Sequence, residues 1–109
     1  MDITVLGGKL QVLDAVIADT ETTSGWLDCR GSVPWQIAIP AGFDGTSLEI
    51  EGSMNGTVAY DLYDAVGQQV LTVAAAQIRH CPVEVWGVPY LRFVADAQTG
   101  AVTLSVAVM

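Results

Sequence analysis

Between Phe43 and Val70 the chain alternates apolar and polar positions in two successive runs. Leu48 and Ile50 alternate with Glu49 and Glu51, and Val58, Tyr60 and Leu62 alternate with Ala59, Asp61 and Tyr63. A period of two is the signature of strands with one buried and one solvated face. Asn55-Gly56 sits between the runs. Both residue types tolerate the positive φ that a type I′ turn needs at its two central positions, so the pattern predicts a two-residue β-hairpin.

The same logic yields the other strands. Val102, Leu104, Val106 and Val108 alternate with Thr103, Ser105 and Ala107. Trp26 to Arg30, Val33 to Ile39, Gln68 to Val73, Gln77 to Cys81 and Pro89 to Ala95 read as shorter strands, the last with Leu91 and Phe93 on one face. Pro34 puts the first residues of its strand at an edge or at the strand's beginning, because proline cannot donate to a central ladder. Leu10 to Ala18 is aliphatic and β-branched, but Leu10, Leu13, Val16 and Ile17 also fit a helical stripe. Strand is the expectation, since nothing else in the chain is helical. Ala74 to Ala76 fits either a strand extension or one helical turn. In the loop 82–88, Trp86 beside Gly87 is expected to cap one end of the core.

About eight short strands at intervals near ten residues, joined by Gly and Pro turns, predict an all-β fold: a single antiparallel β-sandwich of jelly-roll or Ig-like type. A closed barrel is the alternative. Gly7-Gly8 breaks the first apolar run, so residues 1–9 are expected to form an N-terminal arm and residues 10–109 the domain. Such an arm either frays or orders itself on a neighbouring subunit or sheet edge.

Length and charge narrow the partners. At 109 residues the chain has the size of one domain with its own core. Twelve acids face four cations (Lys9, Arg30, Arg79 and Arg92), for a formal net charge of −8. So acidic a surface repels phosphate backbones and anionic lipids, and scattered cations build no basic patch, which excludes nucleic-acid and membrane binding. The acidity reads as a solvated exterior, or as attraction to a basic partner surface. No apolar run approaches the ~20 residues of a membrane-spanning helix, and the first residues lack the order of a secretion signal, so use without export is the expectation. In that compartment Cys29 and Cys81 are expected to be buried thiols.

Catalytic chemistry has few carriers here. His80, the single histidine, neighbours Cys81 in a predicted strand, so the two side chains point to opposite faces and make no nucleophile–base pair. Cys and His without CxxC or HxxxH spacing make a poor zinc set. Asp61, Asp64 and Gly67 resemble a calcium loop in composition but lack its alternating acids and terminal Glu; carboxylates bonding their own turn backbone explain them better. Glu49 and Glu51 would lie about 7 Å apart on one strand face, the solvated one by pattern, rather than forming a glycosidase pair. Trp26, Trp35 and Trp86 suit either a sugar-stacking platform or, better, core and intersubunit contacts. No metal or cofactor is expected, and the reading is non-enzymatic.

Three stretches, TSGWLDCRG, IAIPAGFDGTSLEIEGSMNGTVAYDLYDAVGQQV and VPYLRFVADAQTGAVTLSVAV, resemble a family of small proteins that tailed bacteriophages encode near their head-morphogenesis genes. The shared order is a Thr/Ser-rich start, an "IDL-G" strand, a "P-W/F-T-A/G" turn, a glycine-bearing hairpin, an "LYD-x-x-G-x-x-V" segment, a "L-R-F/V" strand and a final alternating strand. Residues 23–108 follow it; residues 1–20 fall outside it, and Cys29 stands where an aliphatic residue is usual. The resemblance implies a capsid decoration or cement protein on the virion exterior, assembled in the host cytoplasm. Its partners would be the major capsid protein and its own copies, as trimers or less often dimers. Ile3, Val5 and Leu6 of the arm, with apolar positions around Trp35 and Trp86, are the expected partner-binding residues. The competing expectation is a carbohydrate-binding or adhesion domain of a head fibre or tail.

Overall fold

Strand alternation becomes a two-sheet sandwich. The computed structural model describes residues 3–5 and 8–109, with side-chain surroundings from Leu10 onward. Among these residues the strands are β1 (Ile3–Val5), β2 (Gly8–Ile17), β3 (Leu27–Asp28), β4 (Pro34–Ile39), β5 (Ser47–Ser53), β6 (Tyr60–Asp61), β7 (Val70–Thr72), β8 (Gln77–His80), β9 (Tyr90–Ala95) and β10 (Val102–Val108). One sheet has the order β1-β2-β10-β4-β8; the other runs β3-β9-β5-β6, with β7 also paired to β5. The strand pairs are all antiparallel. Of these strands only β1 has no counterpart among the runs read from the sequence.

The two inner faces meet in one core. Ala15 and Ile17 of β2, Ile37 and Ile39 of β4, and Leu104 and Val106 of β10 join Leu48 and Ile50 of β5 and Leu91 and Phe93 of β9, all buried. β5, β9 and β10 keep the alternation read from their sequences, because one face packs on the opposite sheet and the other faces outward. Leu10 to Ala18 resolves as strand. β2 pairs with β10 from Val102 opposite Ile17 to Val108 opposite Gln11, so the ladder decides what periodicity alone could not.

β1 forms a hairpin with β2, Ile3 opposite Leu10 and Val5 opposite Gly8. Gly7, half of the predicted break, lies outside the described residues, while Gly8 opens β2. Leu6, expected to bind a partner, lies outside the described residues, as do the side chains of Ile3 and Val5.

The hairpin predicted across Asn55-Gly56 needs correction. β5 does pair with the following strand, but through Glu51 opposite Asp61 and Gly52 opposite Tyr60, leaving Met54 to Ala59 as a loop. Gly56 has φ +80°, whereas Asn55 is not among the residues of positive φ, so the turn is not type I′. Side chains take over instead. The Asn55 carboxamide oxygen accepts from the Thr57 and Val58 N–H groups at 2.9 and 3.0 Å, and Ser53 Oγ accepts from the Asn55 and Gly56 N–H groups at 3.2 and 2.9 Å. Short polar side chains that bond nearby backbone compete with a backbone turn. The run that follows reaches the core only through Leu62, partly buried against it: Val58 is 49% and Tyr60 60% exposed.

At one end of the sandwich, two loops are clasped reciprocally. Asp44 accepts from the Thr99 N–H and hydroxyl at 3.0 and 2.7 Å, while Asp96 accepts from the Thr46 N–H and hydroxyl, both at 2.8 Å, and from the Ser47 N–H at 3.1 Å. Between them buried Gln98 accepts from the Asp44 N–H and donates to the Gly42 and Gly100 carbonyls. Gly45 is required there, since a Cβ would collide with the Asp96 carboxylate and approach the Ala97 carbonyl to 2.9 Å.

Candidate functional site

Trp35 and Trp86 meet on the surface. In the β4–β10 ladder Gln36 lies opposite Ala107 and Pro34 opposite Val108, so Trp35 is the extra residue of a bulge, a device that re-aims a side chain. Trp86 arrives from the other side. β8 ends before Pro82, a single 3₁₀ turn covers Val83–Val85, and Val85 is buried to 1% exposure. With Val85 filling the core, Trp86 stays out, 45% exposed. This corrects the expectation that Trp86 caps the core. Its indole N–H donates to the Pro34 carbonyl at 3.2 Å. The two ring centroids are 5.9 Å apart, tilted by 51°, within the range of favourable aromatic pairs. Trp35 is itself 38% exposed.

Trp26 stands apart from that pair. It is half-buried beneath the Arg92 guanidinium, which lies 4.4 Å from its ring centroid and bonds Glu51 at 2.6 Å. Beside it Arg30 sits 5.3 Å from the Tyr90 ring and pairs with Asp28 at 2.8 Å. The Arg30 hydrogen bonds hold the Asp28 carboxyl down at about 2. Glu51 is therefore half-buried and ion-paired rather than fully solvated as its pattern suggested, because Arg92 lies opposite it in the β5–β9 ladder.

The chemistry-bearing side chains stay dispersed. His80 faces solvent, its Nδ1 2.6 Å from Gln36 Nε2 across the β4–β8 pair, and Cys81 beside it turns into the core, as alternation requires. Cys29 and Cys81 are buried free thiols. Burial, with the Asp28 charge second, pushes Cys29 up to about 11, and burial, with Cys29 second, does the same to Cys81, so neither supplies thiolate near neutral pH. Asp64 accepts from the Val66 and Gly67 N–H groups at 2.7 and 3.0 Å, which is the turn role expected of it. Among the described residues no group of three His, Cys, Asp or Glu side chains converges to hold a metal.

Two exposed apolar regions escape the sequence reading. Val12, Val16 and Ile78 stand on the outer face of the first sheet, and Met54, Tyr60, Tyr63, Val66 and Val70 line up along residues 54–70. The signal in the second case is Val66 itself, an apolar residue placed in a turn between Asp64 and Gly67, where no core is available to it. No protein-family model matches the chain, and neither a curated protein nor a solved structure matches it.

Proposed function

We propose that this chain is a non-enzymatic virion protein, a decoration or cement protein that binds the outer surface of a phage head and stabilises it through protein–protein contacts. One observation carries the contact: the exposed Trp35–Trp86 pair, fixed by the bulge in β4 and by the indole bond to Pro34. Rigid exposed aromatics are the commonest anchors of protein interfaces, because they offer large area at small entropic cost. The resemblance over residues 23–108 supplies the virion context. The acidic surface supports it, since like charge keeps decorated particles apart while long-range attraction favours a basic lattice. On the lattice many weak contacts sum, each neighbour raising the effective concentration of the next. Binding purified protein to isolated heads tests this. Trp35→Ala and Trp86→Ala are expected to weaken binding about tenfold or more while the fold persists; unchanged binding by both contradicts the assignment of the contact.

A second reading, a carbohydrate-binding domain of a head fibre or tail, draws on the same observation, because adjacent half-exposed indoles also stack on sugars. The 51° tilt between the rings counts against a flat platform. Tryptophan fluorescence that quenches on titration with sugars of the host surface would favour this reading over the first.

A further inference from the structure

Asn55 is the only asparagine of the chain, and a glycine follows it. With no Cβ in the way, the Gly56 backbone nitrogen can reach the Asn55 carboxamide carbon and close a five-membered ring, an intramolecular attack that proximity favours. The fold acts on both partners of that reaction.

The carboxamide is primed. Asn55 Oδ1 accepts from the Thr57 N–H and hydroxyl, both at 2.9 Å, from the Val58 N–H at 3.0 Å and from the Ser53 hydroxyl at 3.1 Å. Donors aimed at an oxygen on which negative charge develops stabilise a tetrahedral intermediate, so this cluster activates Cγ toward attack as well as closing the loop. Asn55 is exposed, and water reaches it.

The nitrogen is restrained. Ser53, the last residue of β5 and 1% exposed, accepts from the Asn55 and Gly56 N–H groups at 3.2 and 2.9 Å. Since its own proton goes to Asn55 Oδ1, the hydroxyl has its donor and both acceptor positions occupied within this loop. Gly56 must leave Ser53 before its nitrogen can lose a proton and turn toward Cγ. Ser53 itself is fixed opposite Tyr90 in the β5–β9 ladder, so a strand holds the latch and a loop holds the reacting pair.

We propose that Asn55-Gly56 is a self-modifying site, at which asparagine converts to aspartate or isoaspartate through a cyclic imide, and that the Ser53 hydroxyl is the latch that slows this in the folded chain. Hydroxide removes the Gly56 N–H proton, the nitrogen bonds Asn55 Cγ, and the Cγ–Nδ2 bond breaks as ammonia leaves with a proton from solvent. Water then opens the imide at either carbonyl. The balance is one water taken up and one ammonia released. Aspartate adds a charge beside Thr57, and isoaspartate lengthens the main chain there by one methylene. The inference is independent of what the chain binds.

Incubation of the purified chain in mildly alkaline buffer tests it, with conversion followed by intact mass and peptide fragmentation. With one asparagine present, the mass change reports this site. The folded parent is expected to convert about tenfold or more slower than the same chain in denaturing urea, because reaction waits on local opening. Ser53→Ala, which removes two acceptor bonds and leaves the Thr57 and Val58 donors, is expected to raise the rate in the folded chain about tenfold or more. Thr57→Val removes a donor to Oδ1 but leaves Gly56 on Ser53, and is expected to stay within about twofold of the parent or below it. A folded parent that converts as fast as the unfolded chain overturns the inference, and so does a folded Ser53→Ala chain no faster than the parent, or a Thr57→Val chain as fast as Ser53→Ala. Should Ser53→Ala not fold, the comparison of the parent with and without urea decides.

Discussion

The Trp86 indole N–H donates to the Pro34 carbonyl at 3.2 Å, tying the loop after the 3₁₀ turn to the first residue of β4. That bond and the ring contact with Trp35 set the orientation of the exposed aromatic pair. Trp86→Phe keeps much of the ring area and removes the donor. It is expected to lower unfolding free energy by about 0.5–1.5 kcal/mol, the net worth of one hydrogen bond, read from the midpoint of urea denaturation. A loss above about 3 kcal/mol would mean that Trp86 belongs to the core.

At the centre of the sandwich the two sheets meet through buried apolar side chains. Phe93 is 1% and Leu104 0% exposed. Leu104→Ala is expected to cost about 2–5 kcal/mol and Phe93→Ala about 3–5 kcal/mol, each leaving a cavity the surrounding strands only partly close. Val66→Ala, in the turn between Asp64 and Gly67, is expected to change stability by less than about 0.5 kcal/mol. Chemical denaturation of the three variants at low protein concentration checks the ranking.

Asp96 and Asp44 lend the end of the sandwich a pH dependence. The Thr46 hydroxyl first, then the Ser47 and Thr46 N–H groups, hold Asp96 down at about 2, and Thr99 lowers Asp44 in the same direction. Groups lowered on folding stabilise the fold fully above their ordinary value of 3.8 and lose that contribution as pH falls through the folded value near 2. Asp96→Asn is therefore expected to melt below the parent at pH about 6, the gap closing as pH drops from about 4 toward 2. Thermal melts across that range decide it; a gap constant with pH contradicts the assignment.

Cys29 and Cys81, raised to about 11 chiefly by burial, are expected to resist a thiol-reactive disulfide reagent at pH about 8 in the folded chain and to react at once when unfolded. Labelling followed with and without denaturant checks this. Prompt reaction of one thiol in the native chain would show that the sandwich opens there.

β5, β9 and β10 are legible in the sequence because each has one face against the opposite sheet, so Leu48 and Ile50, Leu91 and Phe93, and the valines after Val102 follow period two directly. Asn55-Gly56 misleads, since Ser53 and Asn55 side chains bond the loop backbone and displace the turn that the dipeptide alone prefers. Val58 and Tyr60 mislead for a related reason: alternation records apolar content, not which surface will cover it. The meeting of Trp35 and Trp86 is illegible because it depends on a one-residue bulge opposite Val108 and on Val85 winning the buried position. Period and composition encode neither. His80 and Cys81, by contrast, point to opposite sides as strand geometry dictates.

Reconstruction of the virion by cryo-electron microscopy, before and after this protein is depleted and the particles are heated, tests the central proposal most directly. Density is expected on the outer capsid lattice at symmetry positions, with the Trp35–Trp86 end toward the shell and depleted heads bursting at lower temperature. Density confined to the tail or to a fibre, with head stability unchanged, would contradict it.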